Sequence, residues 1–147
     1  MKLKSSNGSS FQLKIIGYEF PDIKDDYDDS NWLMIQIDVT SNENAWHANF
    51  PALTTFEVEE LANWLSSIDS IKDDPGRRGF IELCLDFQFS TRTDGQQFLN
   101  VFCMNEMSPN GQPGNIFETK FPVSEINLSQ AAKDLRLELQ KFPQRVF

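Results

Sequence analysis

Alternation of apolar and polar positions is the strongest signal in this chain. "FQLKIIG" (11–17) sets Phe11, Leu13 and Ile15 against Gln12 and Lys14, and predicts a half-buried strand ended by Gly17. "NWLMIQIDVT" (31–40) predicts a second strand with Leu33, Ile35, Ile37 and Val39 on one face. "SNEN" (41–44) is turn chemistry, and "AWHANF" (45–50) returns as a third strand that Pro51 is expected to stop. The period then changes. Val58, Leu61, Leu65 and Ile68 recur at helical spacing beside Ala62 and Trp64, which predicts a helix near 55–69. Thr54 and Glu57 have capping-box spacing, and Leu53 with Val58 has that of a hydrophobic staple. "KDDPGRRG" (72–79) reads as a turn or short linker.

The second half repeats this order. "FIELCLDFQF" (80–89) alternates Ile81, Leu83, Leu85, Phe87 and Phe89, and "TRTDGQQ" carries the Asp-Gly turn signal. "FLNVFCMN" (98–105) is apolar on both faces, as in a central strand, and "IFETKFPV" (116–123) is a sixth strand after a Pro/Gly loop. Asn127 caps a last helix whose buried stripe is Leu128, Ala131/Ala132, Leu135, Leu139 and Phe142, with Pro143 as its stop. The predicted fold class is α+β: an antiparallel sheet of about six strands with two helices packed against it. Strand, strand, strand, helix occurs twice, so the halves 11–70 and 80–142 are candidates for a βββα pseudo-repeat, which superposition would test.

At 147 residues the chain is expected to be a single domain, 1–147. No apolar run approaches the ~20 residues of a membrane span, and "MKLKSSNGSSFQLKII" has no apolar core of a secretory signal. Cys84 and Cys103 lie apart in apolar runs and read as small buried hydrophobes of a reducing compartment, a disulfide between neighbouring strands being the alternative. Charge changes the picture more. The net charge is −9, and residues 1–75 hold all of the excess, with 14 acids against 5 bases. Such a field opposes binding to nucleic acid, and it either favours a basic protein partner or simply maintains solubility.

The densest acid is in "FPDIKDDYDDSNWL" (20–33), where Asp22, Asp25, Asp26, Asp28 and Asp29 surround one Lys24. It does not read as a calcium loop. In the register that starts at Asp26, Asn31 stands where the sharp turn needs glycine and Ile37 where a bidentate glutamate is needed. His47 is the one histidine and there is no paired-cysteine motif, so no metal or cofactor is expected. No Gly-x-Ser-x-Gly elbow is present, and "DPGRRG" (74–79) lacks the ending of a phosphate loop, which leaves Arg77 and Arg78 as exposed turn charges. Two of the 22 acids converging as a catalytic pair remains open. Trp32 and Met34 lie on the strand face opposite Leu33, and with Phe98 and Phe102 they need a second layer, a dimer partner, or a binding partner.

The stretches "FQLKIIGYEFPD", "YDDSNWLMIQIDV" and "AWHANFPALTTFEVEELANWL" resemble the WapI-type immunity proteins. The landmarks are Gly17-Tyr18-Glu19-Phe20-Pro21, Asn31-Trp32-Leu33, Trp46, Pro51-Ala52-Leu53-Thr54 and Trp64-Leu65, over roughly residues 11–68. The resemblance implies a small cytoplasmic bacterial protein that binds the toxic C-terminal domain of a wall-associated, contact-dependent toxin, a tRNA-cleaving nuclease in the namesake pairing. It implies binding without catalysis, so no catalytic residues carry over. The interface is inferred from charge instead. Asp22, Asp25, Asp26, Asp28 and Asp29, with Glu59, Glu60 and Asn63 of the first helix, are expected to face a basic toxin surface, and Trp32 to supply desolvated aromatic area. The protein itself is expected to be a monomer or homodimer. The competing readings are a small enzyme with paired carboxylates and a scaffold or oligomerisation module.

Overall fold

The computed structural model describes residues 1–68 and 76–145. Among these residues the chain forms β1 (Lys2–Lys4), β2 (Ser10–Tyr18), β3 (Trp32–Thr40), β4 (Ala45–Thr54), α1 (Thr55–Ser67), β5 (Arg77–Arg78), β6 (Leu85–Thr91), β7 (Gln97–Met104), β8 (Ile116–Pro122) and α2 (Leu128–Lys141). The class is α+β, but the strands are eight in two sheets rather than about six in one. Each sheet is an antiparallel meander, β1-β2-β3-β4 and β5-β6-β7-β8. The two strands that the periodicity missed, β1 and β5, are three and two residues long, too short to show an alternation. Position 69 of the expected helix and positions 70 and 72–75 of the expected half-boundary and turn lie outside the described residues. Arg77 and Arg78, expected in a turn, form β5 opposite Gln88 and Phe87.

Pro51 does not end its strand. β4 runs on to Thr54, because Phe50 pairs with Ile35 and Leu53 with Leu33, so that Pro51 and Ala52 share the span of Met34. A bulge on an edge strand asks for no ladder donor at the proline. Gly17 does not end β2 either. Ile15 pairs with Ile35 and Gly17 with Met34, a second bulge at the same residue of β3, after which Tyr18 faces inward beside Leu33. Ile81 and Leu83 depart furthest from expectation. They are 71% and 68% exposed, and β6 starts only at Leu85.

The inner faces of the two sheets meet through aromatic edges. Phe11 of β2 stands against Phe87 of β6 at 5.9 Å and 84°, and Trp46 of β4 against Phe117 of β8 at 4.8 Å and 75°. One continuous core joins both sheets to the buried stripes of the helices, including Val58, Leu61, Leu65, Leu128, Ala132 and Leu135. The helices also touch through polar groups, Arg136 donating to Asn63 Oδ1 at 3.0 Å and to Ser66 Oγ at 3.1 Å. Cys84 and Cys103 are free and buried. Among the described residues no helix is long and apolar enough to cross a membrane.

Candidate functional site

The acidic connection between β2 and β3 is tightly held. The Asp26 carboxylate accepts from the amides of Asp28 at 2.9 Å and Asp29 at 2.8 Å, and Ser30 Oγ accepts from the Asp26 amide at 3.2 Å. These bonds lead into a short 3₁₀ turn, Asp29–Asn31. Asn31 is fully buried. Its Nδ2 donates to the carbonyls of Tyr27 at 2.8 Å and Arg145 at 2.9 Å, while its Oδ1 accepts from Thr55 Oγ1 and the Arg145 amide, both at 2.9 Å. One side chain thus ties the loop, the start of α1 and the C-terminal segment together.

Arg145 clamps the other end of the loop. Its guanidinium donates to the carbonyls of Phe20 at 3.4 Å, Pro21 at 3.1 Å and Ile23 at 2.6 Å, and it lies 3.6 Å over the Tyr18 ring. This cation is spent on backbone carbonyls. No ion pair joins any of the five aspartates to a described residue. Asp22, Asp25, Asp28 and Asp29 therefore present uncompensated charge on an ordered frame. The field reaches Glu19, whose carboxyl is held above its ordinary range by burial first, then by Asp29 and Glu82.

Beside the loop a groove of about 630 Å³ opens toward the start of α1 and the segment before β6. Tyr27 of the loop stacks on Phe56 of α1 at 4.9 Å and 22° to form one wall. The lining also includes an exposed ridge carrying Ile81 and Leu83, and Tyr27 itself is 57% exposed. That ridge is pinned at both ends. Glu57 Oε1 accepts from the Ile81 amide at 2.7 Å, and Asn105 Nδ2 donates to the Leu83 carbonyl at 2.6 Å. Glu57 performs its capping duty at the same time, Oε2 accepting from the Thr54 amide at 2.8 Å while Thr54 Oγ1 accepts from the Glu57 amide at 3.2 Å. Among the described residues the acids of the groove are Asp28, Glu57, Glu60 and Asp86, against one cation, Arg77.

Of the residues singled out from sequence, Asp28 and Glu60 come together in this groove. Glu59 turns to a separate cleft of about 320 Å³ beside Arg136 and Leu139. Trp32 is half-buried on the outer face of the first sheet, opposite Thr54, and does not line the groove. Ile81, Leu83, Phe56 and Tyr27 were missed as a group. In the sequence Ile81 and Leu83 look like core alternation, and only the fold turns them outward. His47 is exposed opposite Asp38, and among the described residues no three His, Cys, Asp or Glu side chains gather as a metal-binding group.

The model of the "Immunity protein WapI-like family" matches residues 2–143. The chain belongs to the WapI-like immunity protein family. No curated protein and no solved structure matches it. Family membership assigns it an immunity function, and the match extends through the second half, beyond the residues 11–68 whose landmarks carried the sequence resemblance. The landmarks of the resemblance turn out to be framework. Tyr18 packs edge-on against Phe142 at 5.7 Å and lies under Arg145, Asn31 is the hub, Pro51 sits in the bulge and Thr54 is the cap. In this WapI-like immunity protein Tyr18, Asn31 and Thr54 hold the acidic loop and the groove in place, while Phe20 and Pro21 are exposed at the start of the loop.

Proposed function

We propose that this protein binds and neutralises the toxic domain of a cognate bacterial contact-dependent toxin, using the acidic loop and the adjoining groove as one docking face. The observation that carries the reading is the pairing of an exposed, pinned apolar ridge, Ile81 and Leu83, with the unneutralised acids Asp28 and Glu60 across a preformed groove. Apolar centre and charged rim are the anatomy of a protein-binding patch, and burying a side chain of this size is worth about 1.5–3 kcal/mol. The partner's face must be basic, and a nuclease that holds phosphates has such a face. Covering it would block the substrate, so inhibition by occlusion needs no catalytic group here. On this reading the protein acts as one domain, monomeric or homodimeric, in the cytoplasm of the producing cell.

Glu57, one of the two buried carboxylates of the groove, is engaged by two fixed backbone amides, while Asp86 is ion-paired to Arg77. That commitment favours a binding face over an acid–base pair. The test is co-expression with the toxin domain encoded immediately upstream of this protein. Restored growth together with co-purification is the expected result. Continued toxicity with no complex would remove the proposal.

A further inference from the structure

Asp86 is an unusual floor for a groove. Its side chain is 7% exposed, yet its partner Arg77 is 63% exposed. One carboxylate oxygen, Oδ2, takes the Arg77 guanidinium, while Oδ1 is buried with no hydrogen-bond partner among the described residues. A buried carboxylate with an idle oxygen holds an unsatisfied acceptor, which a second charge-assisted bond would relieve. Arg77 sits on the edge strand of the second sheet. It belongs to a two-residue strand that follows Gly76, whose φ is +75°, and precedes Gly79. Among the described residues of the groove the other charged groups are all acids, Asp28, Glu57 and Glu60 besides Asp86.

We propose that Arg77 is an internal placeholder, and that the groove is a receptor for an arginine side chain of the partner, which displaces the Arg77 guanidinium from Asp86. For the partner's identity this rests on the toxin-binding reading above. The walls suit arginine over lysine. A planar guanidinium can take both oxygens of a carboxylate and lie against the face of the Tyr27–Phe56 stack, while its aliphatic stem covers Leu83 and Ile81. Asp28 and Glu60 at the rim draw the cation in. The exchange leaves no buried charge unpaired: Asp86 trades one guanidinium for another, and Arg77, already 63% exposed, swings fully into water.

The probe is N-acetyl-arginine methylamide, titrated into the wild-type protein and Arg77→Ala and followed by amide shifts of Tyr27, Ile81 and Leu83. The neutral citrulline analogue is the control. Removing the placeholder frees the competent state, so R77A should bind the arginine amide roughly three- to tenfold more tightly than wild type. The citrulline amide should shift nothing. Equal affinity of wild type and R77A, or equal shifts with citrulline, would overturn the placeholder. Asp86→Asn should abolish the effect. Should D86N fail to fold, the exposed Glu60→Gln serves instead, with weaker arginine binding and an unchanged fold. The same variants are then measured against the co-purified toxin domain. If that domain binds wild type and R77A alike, the placeholder fails and the immunity reading stands. If no toxin domain binds but R77A takes the arginine amide, the pocket stands and the immunity reading fails.

Discussion

Asn31 and Arg145 are bound to each other in both directions, the Asn31 amide donating to the Arg145 carbonyl and its oxygen accepting from the Arg145 amide, each at 2.9 Å. The same asparagine also reaches Tyr27 and Thr55, so the acidic loop, α1 and the C-terminal segment close on a single buried side chain. Asn31→Ala leaves the Tyr27 and Arg145 carbonyls, the Arg145 amide and the Thr55 hydroxyl without this partner. Each orphaned buried group costs about 1–3 kcal/mol, and several are relieved by water, so a total loss of about 2–4 kcal/mol is expected in urea unfolding. A loss under about 0.5 kcal/mol, the range of ordinary surface changes, would show that the hub is ornamental.

Glu57 joins two jobs that variants can separate. Thr54→Ala removes the cap alone and should cost about 1 kcal/mol while leaving the ridge in place. Glu57→Ala removes the cap and the Ile81 tether together. It should cost more and should raise hydrogen exchange at the Ile81 amide by at least tenfold, which a loss of about 1.4 kcal/mol of local protection produces. Unaltered Ile81 exchange in the glutamate variant would mean that the ridge is held by other means.

The aspartates of the loop divide by what they touch. Asp22, Asp25, Asp28 and Asp29 changed together to Asn should slow association with the toxin domain about tenfold at low ionic strength and flatten its salt dependence. Asp26→Ala should act differently. It frees the amides of Asp28 and Asp29 and should lower stability by about 1 kcal/mol, with a smaller effect on the rate at low salt. Stopped-flow mixing over a salt series reads both. An association rate unmoved by the fourfold change would disconnect the loop from the partner.

Burial pushes the thiols of Cys84 and Cys103 up to about 12 from an ordinary 9.0, with Glu82 and Glu106 adding to Cys84 and Cys84 adding to Cys103. Below pH 9.0 both folded and unfolded chains keep these protons, and stability does not change on their account. Above it the unfolded chain loses protons that the folded chain retains. Stability therefore falls as pH rises, by up to about 1.4 kcal/mol per thiol per pH unit. Cys84→Ala should show a shallower fall than wild type just above that pH in urea titrations. At about pH 8 the native thiols should react with iodoacetamide only at the rate at which the protein opens. Rapid labelling of folded protein would contradict their burial.

Much of the fold could be read from the chain because its periodicities were long. β3, the first ten residues or so of α1 and the central strand β7 follow directly from Leu33-Ile35-Ile37, Val58-Leu61-Leu65 and the two apolar faces of 98–105. The Thr54/Glu57 cap was readable for the same reason, being a local rule with local partners. Ile81 and Leu83 were misread because alternation shows which residues share a face but not whether a sheet lies beneath them. The groove was invisible because its walls come from residues 27, 56 and 81–83, brought together by bonds from Glu57 and Asn105 that no spacing announces. Arg145 was overlooked for a similar reason: it answers the acidic loop from more than 110 positions away, and through carbonyls rather than carboxylates.

The two bulges that face Met34 constrain insertions and deletions. β2 and β4 each carry one surplus residue at the same level, so the central strand is one residue short relative to both neighbours. Deleting Gly17 alone, or Ala52 alone, would mend one ladder and leave the other mismatched. A single residue inserted beside Met34 would restore register on both sides at once. The chain's length at this point is thus fixed jointly across three strands, and drift in one of them can be absorbed only by matching change in the others.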